Sequence, residues 1–290
     1  MMQEKFRGTG VALVTPFNAD LQIDYAGFEK VLEFNANNGV NYFVVNGTTG
    51  ESATTDKHEK RALCSFIQSH NPKNLPIMYG TGGYDTMDIV EHVKEMDWDG
   101  IDALLSVSPY YNRPSQAGIV AHYAAVADAC PVPVVMYNVP KRTGSNMSAA
   151  TTLELSQHEN IIAIKEASGD FGQIVDIASN KADDFLLISG DDMCTIPMIA
   201  LGGVGVISVL ANAFPKEMSD MVNAALKGDY DLARKDLARL SSINPHMYSE
   251  ASPVGVKEAL NQKGICESHV RLPLVEPSAS LQKAIKELLQ

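Results

Sequence analysis

The sequence contains no long uninterrupted hydrophobic segment. No run approaches the roughly 18 consecutive apolar residues that a membrane-spanning helix requires. The first eight residues, MMQEKFRG, lack the apolar core of a secretion signal. We therefore expect an untargeted, soluble protein of the cytoplasm without a membrane partner.

Positively charged residues are also scarce. The 23 Lys and Arg residues are outnumbered by 35 Asp and Glu residues, which gives a formal net charge of -12. Nucleic-acid binding depends on clustered cations, and the sequence has no such cluster, so a nucleic-acid partner is not expected. The same negative field repels anionic substrates. A carboxylate substrate would therefore depend on a few well-placed cations, for which Lys165 and Arg142 are the candidates.

Cysteine is sparse as well. The four cysteines lie far apart, with no C-x-x-C pair and no histidine at metal-ligand spacing: Cys64, Cys130, Cys194 and Cys266. We interpret them as reduced structural thiols, with a zinc site assembled from distant residues as the less favoured alternative. Two glycine-rich segments, residues 80–83 and 202–205, match neither the dinucleotide-binding nor the Walker A motif. No metal and no nucleotide cofactor is therefore expected.

What the sequence does contain is a regular alternation of short apolar runs with amphipathic stretches. Runs rich in branched and aromatic residues have the character of buried parallel strands. They are residues 10–14, 42–45, 77–79, 103–107, 134–137, 161–164, 185–188 and 204–209. About eight β-then-α units over roughly 225 residues predict an α/β fold of the (β/α)8 TIM-barrel type.

The stretch after the first strand illustrates the predicted helices. Asp24 stands in N-cap position, and apolar residues follow at helical spacing up to Asn37. Gly39 is the expected stop of this helix, because glycine is common just after a helix C-terminus. After the eighth strand only helices are predicted, over residues 216–227, 229–243, 252–263 and 279–289. We predict a catalytic barrel over residues 1–227 and a C-terminal helical appendage over residues 228–290, which covers part of the barrel or forms a subunit contact.

Residues directly after the strands of such a barrel form its active site. Lys165 ends the sixth apolar run, where apolar surroundings disfavour the charged ammonium form. A neutral amine there can attack a ketone to form a Schiff base. The alternative that this residue alone leaves open is a structural lysine paired with Glu166 or Glu51.

Schiff-base chemistry also needs groups that move protons. Tyr137 and Tyr111 can supply hydroxyls, although each could equally be an aromatic packing residue. Thr48 and Thr49 lie in a glycine-flanked loop that could hold a carboxylate or could be a plain turn. The adjacent acids of residues 191–192 are interpreted as a solvated helix N-terminal turn rather than a metal site.

Several segments, taken together and in this order, resemble those of the family of pyruvate-dependent lyases and synthases, which includes dihydrodipicolinate synthase and N-acetylneuraminate lyase. The resemblance spans nearly the whole chain. Its carriers are residues 47–52 (GTTGES), 109–116 (PYYNRPSQ), 137–140 (YNVP) with 142–144 (RTG), 164–169 (IKEASG) and 190–192 (GDD).

The resemblance implies that Lys165 forms a Schiff base with pyruvate and that Tyr137, Thr48 and Tyr111 form a proton relay. Tyr111 would be contributed across a subunit interface, which implies a homo-oligomer, with a dimer as the minimum and a tetramer as the usual state of the family. Thr49 would hold the pyruvate carboxylate. No cofactor is implied, because the iminium formed on the lysine is itself the electron sink.

The second substrate is the finer question. Arg142 would bind the carboxylate of L-aspartate 4-semialdehyde, while Gly190 and the main-chain carbonyl of Ile207 would line the pyruvate site. Arg142, the Thr-Thr pair and the full PYYNRPSQ segment favour the synthase branch, whose product is 4-hydroxy-tetrahydrodipicolinate, in diaminopimelate and lysine biosynthesis. The alternatives are another pyruvate aldolase, such as a sialic acid lyase or a 2-keto-3-deoxy sugar-acid aldolase, and a non-catalytic keto-acid-binding barrel.

Lysine-sensitive members of the family place His and Asn or Glu residues around a regulatory pocket. At the corresponding positions this chain has a set that differs in part from theirs: Ser52, Ala53, Lys57, Lys60, Tyr84, Asp88 and Tyr110. The two lysines should repel the ammonium group of a bound lysine. We therefore expect weak or absent feedback inhibition by lysine.

Overall fold

The computed structural model describes residues 2–290, with side chains from Glu4 onward, and its central element is a closed parallel barrel. The eight strands follow one another around the barrel in chain order. They are β1 (Gly8–Ala12), β2 (Tyr42–Val45), β3 (Ile77–Thr81), β4 (Ala103–Val107), β5 (Val134–Asn138), β6 (Ile161–Glu166), β7 (Leu186–Ser189) and β8 (Gly205–Ser208). The predicted α/β barrel is confirmed.

Pairing of the first strand with both of its neighbours closes the barrel. Gly10 lies opposite Tyr42 on β2 and opposite Ile207 on β8. A Cβ on Gly10 would come within 2.2 Å of the Tyr42 ring, so only glycine leaves room for that ring inside the barrel. Phe6 packs edge-on against the same ring, with 5.4 Å between the ring centroids, and the amino-terminal end of the barrel is thereby filled with aromatic side chains.

Helices alternate with the strands and continue beyond them. They are α1 (Tyr25–Asn37), α2 (Lys57–Ser69), α3 (Thr86–Glu95), α4 (Gln116–Ala129), α5 (Pro140–Thr143), α6 (Ala149–Leu155), α7 (Phe171–Asn180), α8 (Thr195–Ala200), α9 (Pro215–Leu226), α10 (Tyr230–Tyr248), α11 (Val254–Gln262) and α12 (Ala279–Leu288). The start of α1 is as predicted, because the Asp24 carboxylate accepts a hydrogen bond from the Gly27 amide.

Strand residues alternate between two hydrophobic cores, as the period of a strand requires. One core lies inside the barrel and includes Ala163 and Val135, whereas their neighbours Ile164 and Met136 belong to the core between sheet and helices. Side chains two residues beyond Ala163 and Val135 therefore also point into the barrel, at its carboxyl end. Those residues are Lys165 and Tyr137.

The carboxyl-terminal helices differ from the prediction at one boundary. The predicted helix over residues 229–243 continues as α10 to Tyr248, with Pro245 inside it. Proline removes one amide donor and usually ends a helix, but here buried Ile243 and Met247 on either side of it keep the helix packed. The division at residues 227 and 228 stays a prediction; α9 ends one residue before it. In the part of the chain that the structure describes, no helix is long and apolar enough to cross a membrane.

Candidate active site

Lys165 occupies the carboxyl end of β6 and is almost wholly enclosed, with 5 % of its surface exposed. Its neighbour across the sheet is Tyr137 at the end of β5. The Lys165 Nζ atom lies 4.4 Å from the centroid of the Tyr137 ring. The structure thus brings together the two residues that the sequence placed after separate strands.

No acidic side chain among residues 4–290 forms an ion pair with Lys165. The Glu166 carboxylate accepts hydrogen bonds from the Asn138 side chain at 3.0 Å, the Gln173 side chain at 3.0 Å and the Ser168 amide at 2.6 Å. Both candidate partners from the sequence are therefore engaged elsewhere, since Glu51 pairs with a different lysine. Within residues 4–290, Lys165 has no ion pair, so the interpretation as a structural paired lysine is not supported.

The surroundings of Lys165 change its acidity. Burial lowers the pKa of Lys165 to about 8; the negative charge of Asp192 opposes this shift, and the positive charge of Arg142 adds to it. A lysine with such a pKa is partly in its neutral, nucleophilic form near neutral pH. Burial likewise raises the pKa of Tyr137 to about 12, so its hydroxyl keeps its proton and can donate it in a hydrogen bond.

Gly190, directly after β7, lies against the lysine side chain. A Cβ at Gly190 would come within 3.1 Å of both Cγ and Cε of Lys165 and within 2.7 Å of the Ala167 Cβ. The Gly190 amide donates to the Glu166 carbonyl at 2.8 Å. A side chain at position 190 would crowd Ala167 and Lys165, so the glycine allows the chain after β7 to pass close to both.

Asp192 is where the prediction of a solvated turn was wrong. Asp191 does cap a helical turn, accepting hydrogen bonds from the amides of residues 193 and 194, but Asp192 is buried with 3 % exposure. One Asp192 oxygen accepts from the Leu210 amide at 3.0 Å and the Val209 amide at 3.3 Å, and the other has no partner among the described residues. Asp192 is thus a charged neighbour of Lys165 that the sequence interpretation missed. In the sequence Asp192 is indistinguishable from the adjacent Asp191, so its burial could not be predicted.

Thr48 and Thr49 lie in a short 3-10 turn, Thr48–Gly50, that follows β2. Thr49 is buried with 4 % exposure, whereas Thr48 is exposed at the mouth of the barrel. The turn can lie close to the neighbouring strand because Gly80 has no side chain: a Cβ there would come within 2.8 Å of the Asn46 carbonyl oxygen. The Asn46 side chain donates to the Gly80 carbonyl at 2.8 Å, which fixes the start of the loop.

Tyr111 and Arg142 stand at the rim rather than inside. Tyr111 adopts a left-handed backbone (φ 69°) and is 86 % exposed, with its ring 6.1 Å from that of Tyr84. Within one chain the described residues form no hydrogen bond from the Tyr111 hydroxyl to Tyr137 or Thr48. Arg142 is exposed on α5, and its charge influences the pKa of both Lys165 and Tyr137, which places it beside the mouth.

Ile207 lies on β8 with its side chain in the barrel interior, 1 % exposed.

The residues predicted for regulation lie apart from the barrel interior, on the side of α2 and α3. Tyr84 packs edge-on against Tyr110 at 5.9 Å between ring centroids, and Lys57 and Asp88 are exposed. Burial lowers the pKa of Lys60, and the negative charges of Asp56 and Asp88 oppose this shift. The regulatory role of this face stays a prediction.

The other sites considered in the sequence are quickly placed. All four cysteines are unpaired thiols, of which Cys64, Cys130 and Cys266 are buried. In the described part of the chain no group of three His, Cys, Asp or Glu side chains is arranged to hold a metal ion. That the reaction needs no metal and no cofactor stays a prediction.

A closed (β/α)8 barrel with a buried amine of lowered pKa at the carboxyl end of a strand defines a class of barrel enzymes that use a lysine as nucleophile. Within that class, the chain belongs to the dihydrodipicolinate synthetase family, whose model matches residues 5–290.

The relatives agree over nearly the full length. A 4-hydroxy-tetrahydrodipicolinate synthase of Cytophaga hutchinsonii is 51% identical over 282 residues, which are 97% of this chain and 95% of that protein. The crystal structure of dihydrodipicolinate synthase from Aquifex aeolicus superimposes with a TM-score of 0.94 at 36% identity, covering 98% of this chain and 97% of the other. A monomeric dihydrodipicolinate synthase variant gives a TM-score of 0.95 at 34% identity, covering 99% and 97%.

Proposed function

We propose that the chain is a 4-hydroxy-tetrahydrodipicolinate synthase, which condenses pyruvate with L-aspartate 4-semialdehyde and releases one water. The observation that carries this proposal is the isolated, buried Lys165 amine beside Tyr137, in a chain whose family is that of dihydrodipicolinate synthetases. The product makes the reaction the first committed step toward diaminopimelate and lysine. A cytoplasmic location follows from the same proposal.

The chemistry begins on Lys165. Its neutral amine attacks the ketone carbon of pyruvate, and the resulting carbinolamine loses water to give an iminium. Loss of a methyl proton gives an enamine, whose carbon attacks the aldehyde carbon of the second substrate. The amino group of that substrate then attacks the iminium carbon and displaces the Lys165 amine, which closes the ring and frees the enzyme.

Each proton transfer in these reaction steps needs a group that donates or accepts the proton. Tyr137 is the proposed central one, because its hydroxyl stays protonated and its ring lies against the reacting amine. Thr48 would continue the relay toward Tyr111 at the mouth. Thr49, buried in the same turn as Thr48, would hold the pyruvate carboxylate, with Gly190 and the Ile207 carbonyl lining the rest of the small cavity.

Arg142 is the proposed anchor of the second substrate. Its guanidinium is exposed beside the opening and can bind a carboxylate through two parallel hydrogen bonds. A local cation of this kind also offsets the repulsion that a chain with net charge -12 exerts on the carboxylate groups of the two substrates.

The proton relay implies an assembly of several chains. Tyr111 is 86 % exposed, and its ring lies 6.1 Å from that of Tyr84, which is 60 % exposed, so the two rings present apolar surface to solvent. Burying this surface against a second copy would both stabilise a dimer and allow Tyr111 to reach the partner's site. A tetramer is the proposed state, although one structural relative is described as monomeric.

Lysine is expected to inhibit weakly if at all, because Lys57 and Lys60 bring positive charge to the face where regulation is predicted. We expect less than about a two-fold loss of activity at millimolar lysine. An inhibition curve with saturable loss of most activity at low lysine would contradict this.

The test of the function is pyruvate consumption by the purified protein with L-aspartate 4-semialdehyde, beside N-acetylmannosamine and a simple sugar aldehyde. Turnover with the semialdehyde alone is the expected result. Turnover with a sugar aldehyde instead would move the chain to the lyase branch, and no turnover with any of them would favour a non-catalytic barrel.

A further inference from the structure

We propose that the buried ion pair of Glu51 and Lys257 positions the Thr48–Gly50 turn for binding pyruvate, so that the C-terminal helices act on the substrate site through one carboxylate. Glu51 directly follows the turn, and Lys257 lies on α11. The inference rests on the proposed function, in which Thr48 and Thr49 contact pyruvate or its adduct.

The Glu51–Lys257 ion pair has a short distance and is buried away from solvent. Lys257 Nζ donates to Glu51 Oε1 at 2.6 Å and to the His269 carbonyl oxygen at 2.7 Å. The side chains of Lys257 and Glu51 are 0% and 2% exposed. In such surroundings, removing one partner leaves the other as an uncompensated buried charge, so the two side chains hold each other in place.

The second oxygen of Glu51 ties the same carboxylate to another part of the C-terminal segment. The Arg271 amide donates to Glu51 Oε2 at 2.9 Å. The Arg271 guanidinium and the Lys257 ammonium each lie 4.2 Å from the ring centroid of Phe17, which belongs to the loop after β1. Glu51 is therefore held by two separate parts of the C-terminal segment packed around one aromatic ring.

Arg271 reaches further along the segment after the turn. Its guanidinium donates to the Thr54 carbonyl at 2.9 Å and to the Glu59 carboxylate at 2.7 Å. Glu59 is the residue that completes the capping box of α2 with Asp56. The C-terminal segment thus fixes the chain on the far side of Glu51 as well.

The backbone transmits this restraint to the turn. Glu51 has a left-handed conformation (φ 54°), which costs energy for a residue with a Cβ and persists only where the surroundings enforce it. The Glu51 amide donates to the Thr48 carbonyl at 3.1 Å, and Thr15 Oγ1 donates to the Gly50 carbonyl at 2.7 Å. If Glu51 relaxed, the two threonines would shift with it.

A purely packing role for the pair would not need charge. An apolar pair of the same volume would fill the space without the desolvation penalty of two ions. What the carboxylate adds is direction, because its two oxygens accept from groups on two parts of the chain and fix the position of residue 51. Glu51 and Lys257 are therefore positioning residues, and neither contacts the reacting atoms.

The test compares Lys257→Met with Lys263→Met. Lys263, the C-cap residue of α11, packs over Phe214 at 4.5 Å and has no part in the pair. For Lys257→Met, we expect the pyruvate KM to rise about ten-fold or more, as a small misplacement of a binding loop predicts, while the KM for the aldehyde changes less than about two-fold. Lys263→Met should leave both constants near those of the wild type.

Two further measurements make the outcome decisive. Borohydride trapping of the pyruvate adduct in the wild type tests the proposed function first, since absence of an adduct there would reject that function and not the positioning role. Hydrogen exchange of a peptide covering residues 47–56 should be faster in Lys257→Met and unchanged in Lys263→Met. An unchanged pyruvate KM in a folded Lys257→Met, or an equal rise in Lys263→Met, would overturn the proposal.

If Lys257→Met does not fold, Glu51→Gln replaces it, because the amide keeps the size of the side chain and an oxygen acceptor for Lys257. We expect a smaller rise of the pyruvate KM, about three-fold or more, with the aldehyde KM again unchanged. Wild-type values for both constants in Glu51→Gln would reject the positioning role.

Discussion

Lys165 in the barrel and Lys257 on α11 are both buried, but their surroundings differ in one respect. Lys257 lies 2.6 Å from the Glu51 carboxylate, whereas Lys165 has no ion-pair partner in the described part of the chain and faces the ring of Tyr137. Burial lowers the pKa of both. At Lys257 the adjacent carboxylate opposes that shift directly, so its ammonium form is stabilised.

The difference separates a structural lysine from a reactive one. An amine that is buried without a carboxylate in direct contact gains nucleophilicity, because the neutral form becomes accessible near neutral pH. An amine that is buried with a counter-ion gains fixed geometry instead. The same side chain thus serves chemistry in one place and positioning in the other, and the four predictions that follow test this contrast.

The largest effect is expected for Lys165→Ala. Loss of the nucleophile should lower kcat/KM at least about 1,000-fold, since the Schiff-base route is closed. Mass spectrometry after borohydride reduction should detect no pyruvate adduct, even though Lys257 is still present. An adduct mapped to Lys257 in this variant would contradict the distinction between the two lysines.

Lys257→Met is expected to have the largest effect on stability. Leaving Glu51 buried without its counter-ion should lower the free energy of unfolding by about 3 to 5 kcal/mol. Urea denaturation followed by circular dichroism measures this, with Lys263→Met as a matched control that should lose less than about 1 kcal/mol. Equal losses in the two variants would mean that the pair contributes no more than packing.

Arg142→Ala should separate the two half-reactions. Adduct formation with pyruvate should persist, whereas kcat/KM for the semialdehyde should fall about 10- to 100-fold, as expected for loss of a charged hydrogen-bonding partner. Steady-state kinetics with each substrate varied measures this, and Lys141→Ala, its exposed neighbour, serves as the control. Equal loss of adduct formation in the Arg142 variant would contradict the role assigned to it.

The smallest effect concerns pH. Because the pKa of Lys165 is about 8, the rate of adduct formation should rise with pH up to that value and level off above it. Below it, each unit of pH should reduce the rate about ten-fold, as the neutral fraction falls. Arg142→Ala should move the midpoint to higher pH, since the positive charge of Arg142 lowers the pKa of Lys165. Stopped-flow measurement of the rate of adduct formation against pH tests this prediction. A midpoint near the pKa of an unperturbed lysine side chain would show that burial does not activate the amine.

Much of the fold, and the position of Lys165, could be predicted from the sequence, because the relevant signals are local. Each strand is a short run whose apolar character is visible by itself, and Lys165 follows such a run directly, so its place at the carboxyl end was fixed by the barrel rule. The start of α1 at Asp24 was likewise predictable from a cap residue.

What the sequence did not reveal depends on contacts between distant segments. Asp192 looks like an ordinary polar turn residue until the segment directly after β8 covers it and donates the amide hydrogens of Val209 and Leu210 to it. Glu51 was weighed as a partner of Lys165, but its actual partner is 206 residues away in the chain. No local pattern distinguishes one buried lysine from the other as the partner of a given carboxylate.

The aromatic side chains that fill the amino-terminal end of the barrel have a consequence for the direction of ligand access. Phe6 and Tyr42 fill the amino-terminal end of the barrel interior, whereas Lys165 lies at the carboxyl end of β6, where barrel enzymes bind their substrates. Under the proposed function, pyruvate and the aldehyde would therefore approach Lys165 from the same side, the carboxyl end of the strands, and the product would leave toward that side.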